Sequence, residues 1–118
     1  MNSRIVAVID DEPAVRDAMR FLIELEGCVV ATYVSAVAFL DDADIVPACM
    51  IVDYHMPEMD GLALAEELSK ADRIFPILLM SGALSAAVIE KAAELGIAQV
   101  LAKPPDADAI MAFVDAHC

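Results

Sequence analysis

Short apolar runs punctuate the chain, and between them the apolar residues return at helical spacing instead of continuously. The first run, Arg4–Ile9, is rich in β-branched residues and lacks alternation, as expected of a strand buried on both faces. Pro13 suits the first turn of a helix, and Val15, Ala18, Met19, Leu22 and Leu25 follow the 3.6-residue period until Gly27. Cys28–Val34 reads as a second strand. Ser35 can cap a short helix carrying Val37, Phe39 and Leu40, with an acidic surface turn (Asp41, Asp42, Asp44) behind it. The third run, Cys49–Val52, stops abruptly at Asp53, and turn signals at Met56-Pro57 and Asp60-Gly61 lead into a helix with Leu62, Ala65 and Leu68 on one side. Pro76 precedes a fourth strand, Ile77–Met80, ending at Ser81-Gly82. Ser85 then caps a helix on which Val88, Ala92 and Leu95 share a face and Gly96 marks the end. The weakest run, Ile97–Ala102, ends at Lys103-Pro104, and a last helix after Pro105 groups Ile110, Phe113, Val114 and His117.

Strands that alternate with helices in this way predict parallel βαβ units joined by right-handed crossovers, with helices on both faces. The expected fold is an α/β, doubly wound (βα)5 sandwich. A chain of 118 residues that is 60% hydrophobic can build one ordinary core, and no repeat, low-complexity tract or linker divides it, so one domain over 1–118 is expected. The opening MNSRIVAVIDDE reaches paired acids too soon for a signal peptide. The uncharged stretch between Arg73 and Glu90 is broken by Pro76, Ser81, Gly82 and Ser85, which argues for strand, loop and helix and against a membrane span. Cys28, Cys49 and Cys118 are odd in number and widely spaced, and they read as small core residues plus a tail thiol in a reducing compartment, giving an expected cytoplasmic location.

Charge narrows the function. Twenty acids against 7 bases leave a net charge of -13, which argues against binding of a nucleic-acid backbone and favours cations and basic partner surfaces, although much of it serves to keep an apolar domain soluble. The predicted strands end in Asp10-Asp11, Asp53, Ser81 and Lys103. In an open parallel sheet all of these face the crevice outside the carboxyl ends of the strands, where ligands bind. Taken singly, each has a plain structural role: Asp11 as a helix-cap acid, Asp53 as a turn former, Ser81 as a turn hydroxyl and Lys103 as a solvated amine. Turn chemistry does not account for all of them at once. Carboxylates crowded beside one lysine either raise a carboxyl pKa or recruit a divalent cation, and Mg²⁺ accepts one or two carboxylates together with phosphate oxygens. With the cation and Lys103 offsetting Asp10, Asp11 and Asp53, the pocket can receive a phosphoryl group, and Asp53, central among the strands, is the candidate nucleophile for an acyl phosphate.

The pattern Asp10-Asp11, Asp53-x-x-Met56-Pro57-x-Met59-Asp60-Gly61, Ser81-Gly82 and Lys103-Pro104 resembles the receiver domain of two-component response regulators, the CheY-like, flavodoxin-like fold, over the whole chain. The resemblance implies that Asp53 takes a phosphoryl group from a sensor histidine kinase or phosphotransfer protein. It implies that Asp11, Asp53 and the backbone carbonyl of His55 bind Mg²⁺ while Asp10 holds metal waters, that Ser81 and Lys103 contact the phosphoryl oxygens, and that Lys103-Pro104 is cis. Such a domain catalyses only its own phosphorylation and dephosphorylation, binds neither nucleic acid nor membrane itself, and admits a phosphorylation-dependent dimer. The chain departs from the family at Val100, where an aromatic switch residue is usual, and at Pro105, where Phe is common. A stand-alone regulator is the first expectation. The receiver portion of a helix-turn-helix transcriptional regulator is the alternative, because the Ser35-to-Leu40 segment resembles such receivers. An Asp-dependent phosphohydrolase would need a second Asp two residues after Asp53, where His55 stands, and a glycine-rich nucleotide loop is also missing.

Overall fold

The computed structural model describes residues 4–118. Strands β1 (Ile5–Ile9), β2 (Val29–Tyr33), β3 (Cys49–Asp53), β4 (Ile77–Ser81) and β5 (Gln99–Ala102) alternate with helices α1 (Pro13–Glu24), α2 (Ala36–Asp41), α3 (Gly61–Lys70), α4 (Ala86–Glu94) and α5 (Ala107–His117). All strands pair in parallel in one sheet of order β2-β1-β3-β4-β5. The chain runs outward from β1 to β2 and then crosses back past β1 to β3. The winding therefore reverses between β1 and β3, and a crevice opens there at the carboxyl ends of the strands.

The two-residue pleat divides the apolar side chains between two cores. Val6 and Val8 of β1, Cys49 and Ile51 of β3, and Leu78 and Met80 of β4 pack with Met19 and Ile23 of α1 and Ile110, Phe113 and Val114 of α5. Their neighbours of opposite parity, Ala7, Ile9, Met50, Val52, Ile77 and Leu79, pack with Phe39 of α2, Leu64, Ala65 and Leu68 of α3, and Val88 of α4. Both faces of the sheet are thus covered, which is why the strands carry no hydrophobic-polar alternation. Ser35, Asp60 and Ser85 each accept a backbone N–H of the helix they open, from Ala38, Ala63 and Val88 respectively.

The expected elements are all present, with shifted ends. The last strand begins at Gln99, two residues later than its apolar run suggests, because Ile97 and Ala98 belong to the connection from α4 and donate to Ala92 and Ile77 carbonyls. On α1 the buried positions are Met19 and Ile23, whereas Leu25 is 68% exposed. Leu25 stands two residues, about 200°, round the helix from Ile23 and so points away from the core. Among the described residues no helix is long and apolar enough to cross a membrane.

The cysteines correct an expectation. Cys28, at the entry to β2, and Cys118, behind α5, form a disulfide with Cα atoms 6.8 Å apart although 90 positions separate them in the chain. They meet because the start of β2 and the end of α5 lie at the same edge of the first core. Inferring a reducing compartment from unpaired thiols therefore loses its premise. Cys49 remains a free, buried thiol, and burial pushes its pKa up to about 11.

Candidate functional site

Strand parity assembles the site. Val6 and Val8 continue to Asp10, Cys49 and Ile51 to Asp53, and Leu101 to Lys103, all on the α1/α5 side of the sheet. Ile9 of β1 pairs with Val52 of β3, so the next residues of those neighbouring strands are Asp10 and Asp53. Asp10 is fully buried, Asp53 is 3% exposed, and the Lys103 ammonium reaches between them, 3.2 Å from Asp10 Oδ2 and 3.1 Å from Asp53 Oδ1. Asp11 completes the group, with one carboxylate oxygen from each of Asp10, Asp11 and Asp53 lying within 4.8 Å of one another.

The pocket is short of positive charge. One ammonium faces three carboxyl groups, and the Asp53 carboxyl is pushed up, first by burial and then by the charges of Asp10 and Asp11, despite its hydrogen bond from Lys103. At Lys103, burial works to lower the pKa, but the bond to Asp53 and the charges of Asp10 and Asp53 outweigh it and the net direction is upward. A cluster of hard carboxylate oxygens with residual negative charge fits a divalent cation that prefers oxygen ligands. Among the described residues, these three aspartates form a group of side chains that could hold one.

Around this group the loops are clamped. Asp60 Oδ1 accepts the Ala63 N–H at 2.8 Å, and the Gly61 N–H donates to the Tyr54 carbonyl at 3.0 Å, tying the start of α3 to the end of β3. A Cβ at Gly61 would stand 2.6 Å from Leu79 Cδ1 and 2.9 Å from the Asp53 carbonyl oxygen, so only glycine permits this approach. Met56 and Met59 pack the same loop onto the second core. The Lys103-Pro104 peptide is cis.

Ser81 has the opposite parity from Asp10, Asp53 and Lys103. It is fully buried, and its hydroxyl donates to the Ala83 carbonyl at 3.0 Å and accepts the Ala83 N–H at 3.3 Å, so it is bonded into the β4–α4 loop and not to Asp53. The structure thus gathers Asp10, Asp11, Asp53 and Lys103, and leaves Ser81 alongside in another hydrogen-bonded state. His55 is exposed in the loop after β3, its ring edge-on to Tyr54 at 4.7 Å. Val100, in β5, packs into the second core as an aliphatic side chain. One contact escapes motif reading: Arg16 of α1 donates through Nη1 to the Asp10 backbone carbonyl at 2.8 Å. Its only trace in the sequence is a basic residue one turn into the helix that follows Asp10-Asp11.

An acidic pocket holding one lysine at the switch point of a five-stranded parallel sheet defines the class. The profile of the response regulator receiver domain matches residues 6–115, and the chain belongs to that family of two-component signalling domains. The transcriptional regulatory protein FixJ of Azorhizobium caulinodans is 40% identical over 114 residues, covering 94% of this chain and 53% of that protein. The chain thus spans about half the length of these curated FixJ relatives. The crystal structure of FixJ-N superposes with a TM-score of 0.86 at 26% identity, covering 98% of this chain and 93% of that one. Chemotaxis protein CheY4 of Vibrio cholerae superposes with a TM-score of 0.88 over all of both chains, and at 19% identity it shares the fold alone.

Proposed function

We propose that residues 1–118 form a phosphoacceptor receiver in which Asp53 takes a phosphoryl group from a phosphohistidine of a sensor kinase or phosphotransfer protein. The observation that carries this reading is the buried Asp53 carboxylate, 3.1 Å from the Lys103 ammonium and grouped with Asp10 and Asp11. An Asp53 oxygen attacks phosphorus, the P–N bond to the donor imidazole breaks as the P–O bond forms, and the electron pair leaves on the imidazole nitrogen, which takes up a proton. Asp10, Asp11, Asp53 and the His55 backbone carbonyl would hold Mg²⁺, which supplies positive charge where negative charge builds on the transferred oxygens. Lys103 neutralises another of those oxygens. Ser81 donates to a third after giving up its bond to the Ala83 carbonyl, and that exchange couples phosphorylation to the β4–α4 loop. The result is a shift between two conformations of the domain, read by a protein partner or by a second copy of the chain.

Acetyl phosphate with Mg²⁺ should add one phosphoryl group, seen by intact mass, and Asp53→Asn should reduce it to background. Equal labelling of the variant would overturn the assignment.

A specific observation favours the receiver of a transcriptional regulator over a stand-alone regulator. The relative that is 40% identical bears the name of a transcriptional regulatory protein, and the chain covers 53% of it. Sequencing the natural reading frame past Cys118 decides between the two: an output domain supports the first and a stop codon the second.

A further inference from the structure

The Asp10-Asp11 step is gripped from several sides. The Asp10 N–H donates to the Tyr33 carbonyl of β2 at 3.2 Å, and its carboxylate accepts the Glu12 N–H at 2.9 Å and the Lys103 ammonium at 3.2 Å. Its carbonyl accepts from Arg16 at 2.8 Å, and among the described residues no other donor reaches it. That carbonyl and the Asp11 N–H belong to one planar peptide unit. Turning the plane about the Asp10 Cα–C bond moves the Asp11 Cα, and with it the carboxylate that Asp11 contributes to the pocket. Arg16 can hold the plane because it is half-buried and its own backbone N–H is fixed to the Glu12 carbonyl at 3.1 Å in the first turn of α1.

We propose that Arg16 is a positioning residue of the phosphoacceptor site: by holding the Asp10 carbonyl it sets the peptide plane from which Asp11 enters the pocket, and so preforms the divalent-cation site. This rests on the reading of Asp10, Asp11 and Asp53 as the place where Mg²⁺ binds. A guanidinium beside an acidic pocket also acts through its charge, and that effect has the opposite sign. Charge alone makes the pocket less negative and weakens cation binding, so removing it would tighten Mg²⁺; removing a positioning bond loosens it. The bond is short, made by a charged donor and partly shielded, and such bonds outweigh the through-space effect of a half-exposed cation.

The test compares Arg16→Met with Arg16→Lys, which keeps the charge but not the planar fork. In the metal-free protein the Asp11 amide resonance should move in both variants. Mg²⁺ titration followed by NMR should show a Kd raised about fivefold in Arg16→Met, which is ~1 kcal/mol, and raised less in Arg16→Lys. Labelling by acetyl phosphate should need correspondingly more Mg²⁺ for half-maximal rate and return to the wild-type rate at saturation. An unchanged or tighter Mg²⁺ Kd in Arg16→Met would overturn the proposal, and if that variant does not fold, a wild-type Kd in Arg16→Lys would do so. A wild-type chain that neither binds Mg²⁺ nor labels would instead sink the phosphoacceptor reading on which the proposal stands.

Discussion

At Asp53, burial and the charges of Asp10 and Asp11 push the carboxyl pKa above its ordinary 3.8, and the bond from Lys103 does not bring it back. The folded protein therefore binds the Asp53 proton more tightly than the unfolded chain does. As pH rises from the unfolded value through the raised folded value, the native state holds more protons than the unfolded one, and stability falls over that window. Asp53→Asn lacks this loss. In the absence of divalent cations it should melt higher than wild type at pH 7, each ~1 kcal/mol gained raising the melting temperature of a domain of this size by about 4 °C, and the difference should shrink as pH falls toward the unfolded-state value. Melting curves across pH check this, and a variant less stable than wild type at pH 7 would mean that the Lys103 pairing outweighs burial. Asp10, Asp11, Asp53 and Lys103 were legible in the sequence because a strand end is visible as the last residue of an apolar run. Arg16 was not, since its role depends on a side chain reaching back to a backbone carbonyl. The present bonding of Ser81 was not either, because the type of a residue does not say which of two partners a hydroxyl takes.

Elements bring these residues into range, and the closest approach is where the start of α3 meets the end of β3. Gly61→Ala places a methyl group 2.6 Å from Leu79 Cδ1 and 2.9 Å from the Asp53 carbonyl. Leu79 can turn, but the backbone at Asp53 can yield only by moving the strand end that presents the nucleophile. A loss of about 2 kcal/mol follows from overpacking of this kind, together with slower labelling of Asp53. Gly82→Ala, where a Cβ meets no atom within 4 Å, serves as the control and should stay within ~0.5 kcal/mol of wild type. Urea unfolding of both variants measures the contrast, and equal stabilities would mean that the α3 start shifts freely. Element order and type were legible because strands buried on both faces leave unbroken β-branched runs and helices leave a 3.6-residue period. Where the signal weakened, at Ile97 and Ala98 or at Leu25, the ends were set by bonds to Ala92 and Ile77 and by helix geometry beyond the last buried turn.

Across the whole molecule, the winding brings the end of the last helix back beside the entry of the second strand. The disulfide between Cys28 and Cys118 closes a loop with a sequence separation of 90, joining the far end of α5 to the entry of β2. It does so at an edge where Glu26 and Asp115 also meet, the Glu26 carboxyl being pushed upward first by donating its proton to the Asp115 carboxylate and then by the charge of Asp115. This pairing was not legible, because three cysteines spaced through a chain show no partner until the fold puts β2 and α5 on one edge. Closing so long a loop removes entropy from the unfolded chain, and about 2–4 kcal/mol is typical. Reduction by dithiothreitol should lower the melting temperature by roughly 10 °C. Cys118→Ser and Cys28→Ser should each start near that lower value and no longer respond to the reductant. Native alkylation before reduction should leave Cys28 and Cys118 unmodified, and their ready modification, or a melting temperature indifferent to dithiothreitol, would show that the end of α5 is held by packing against the first core alone.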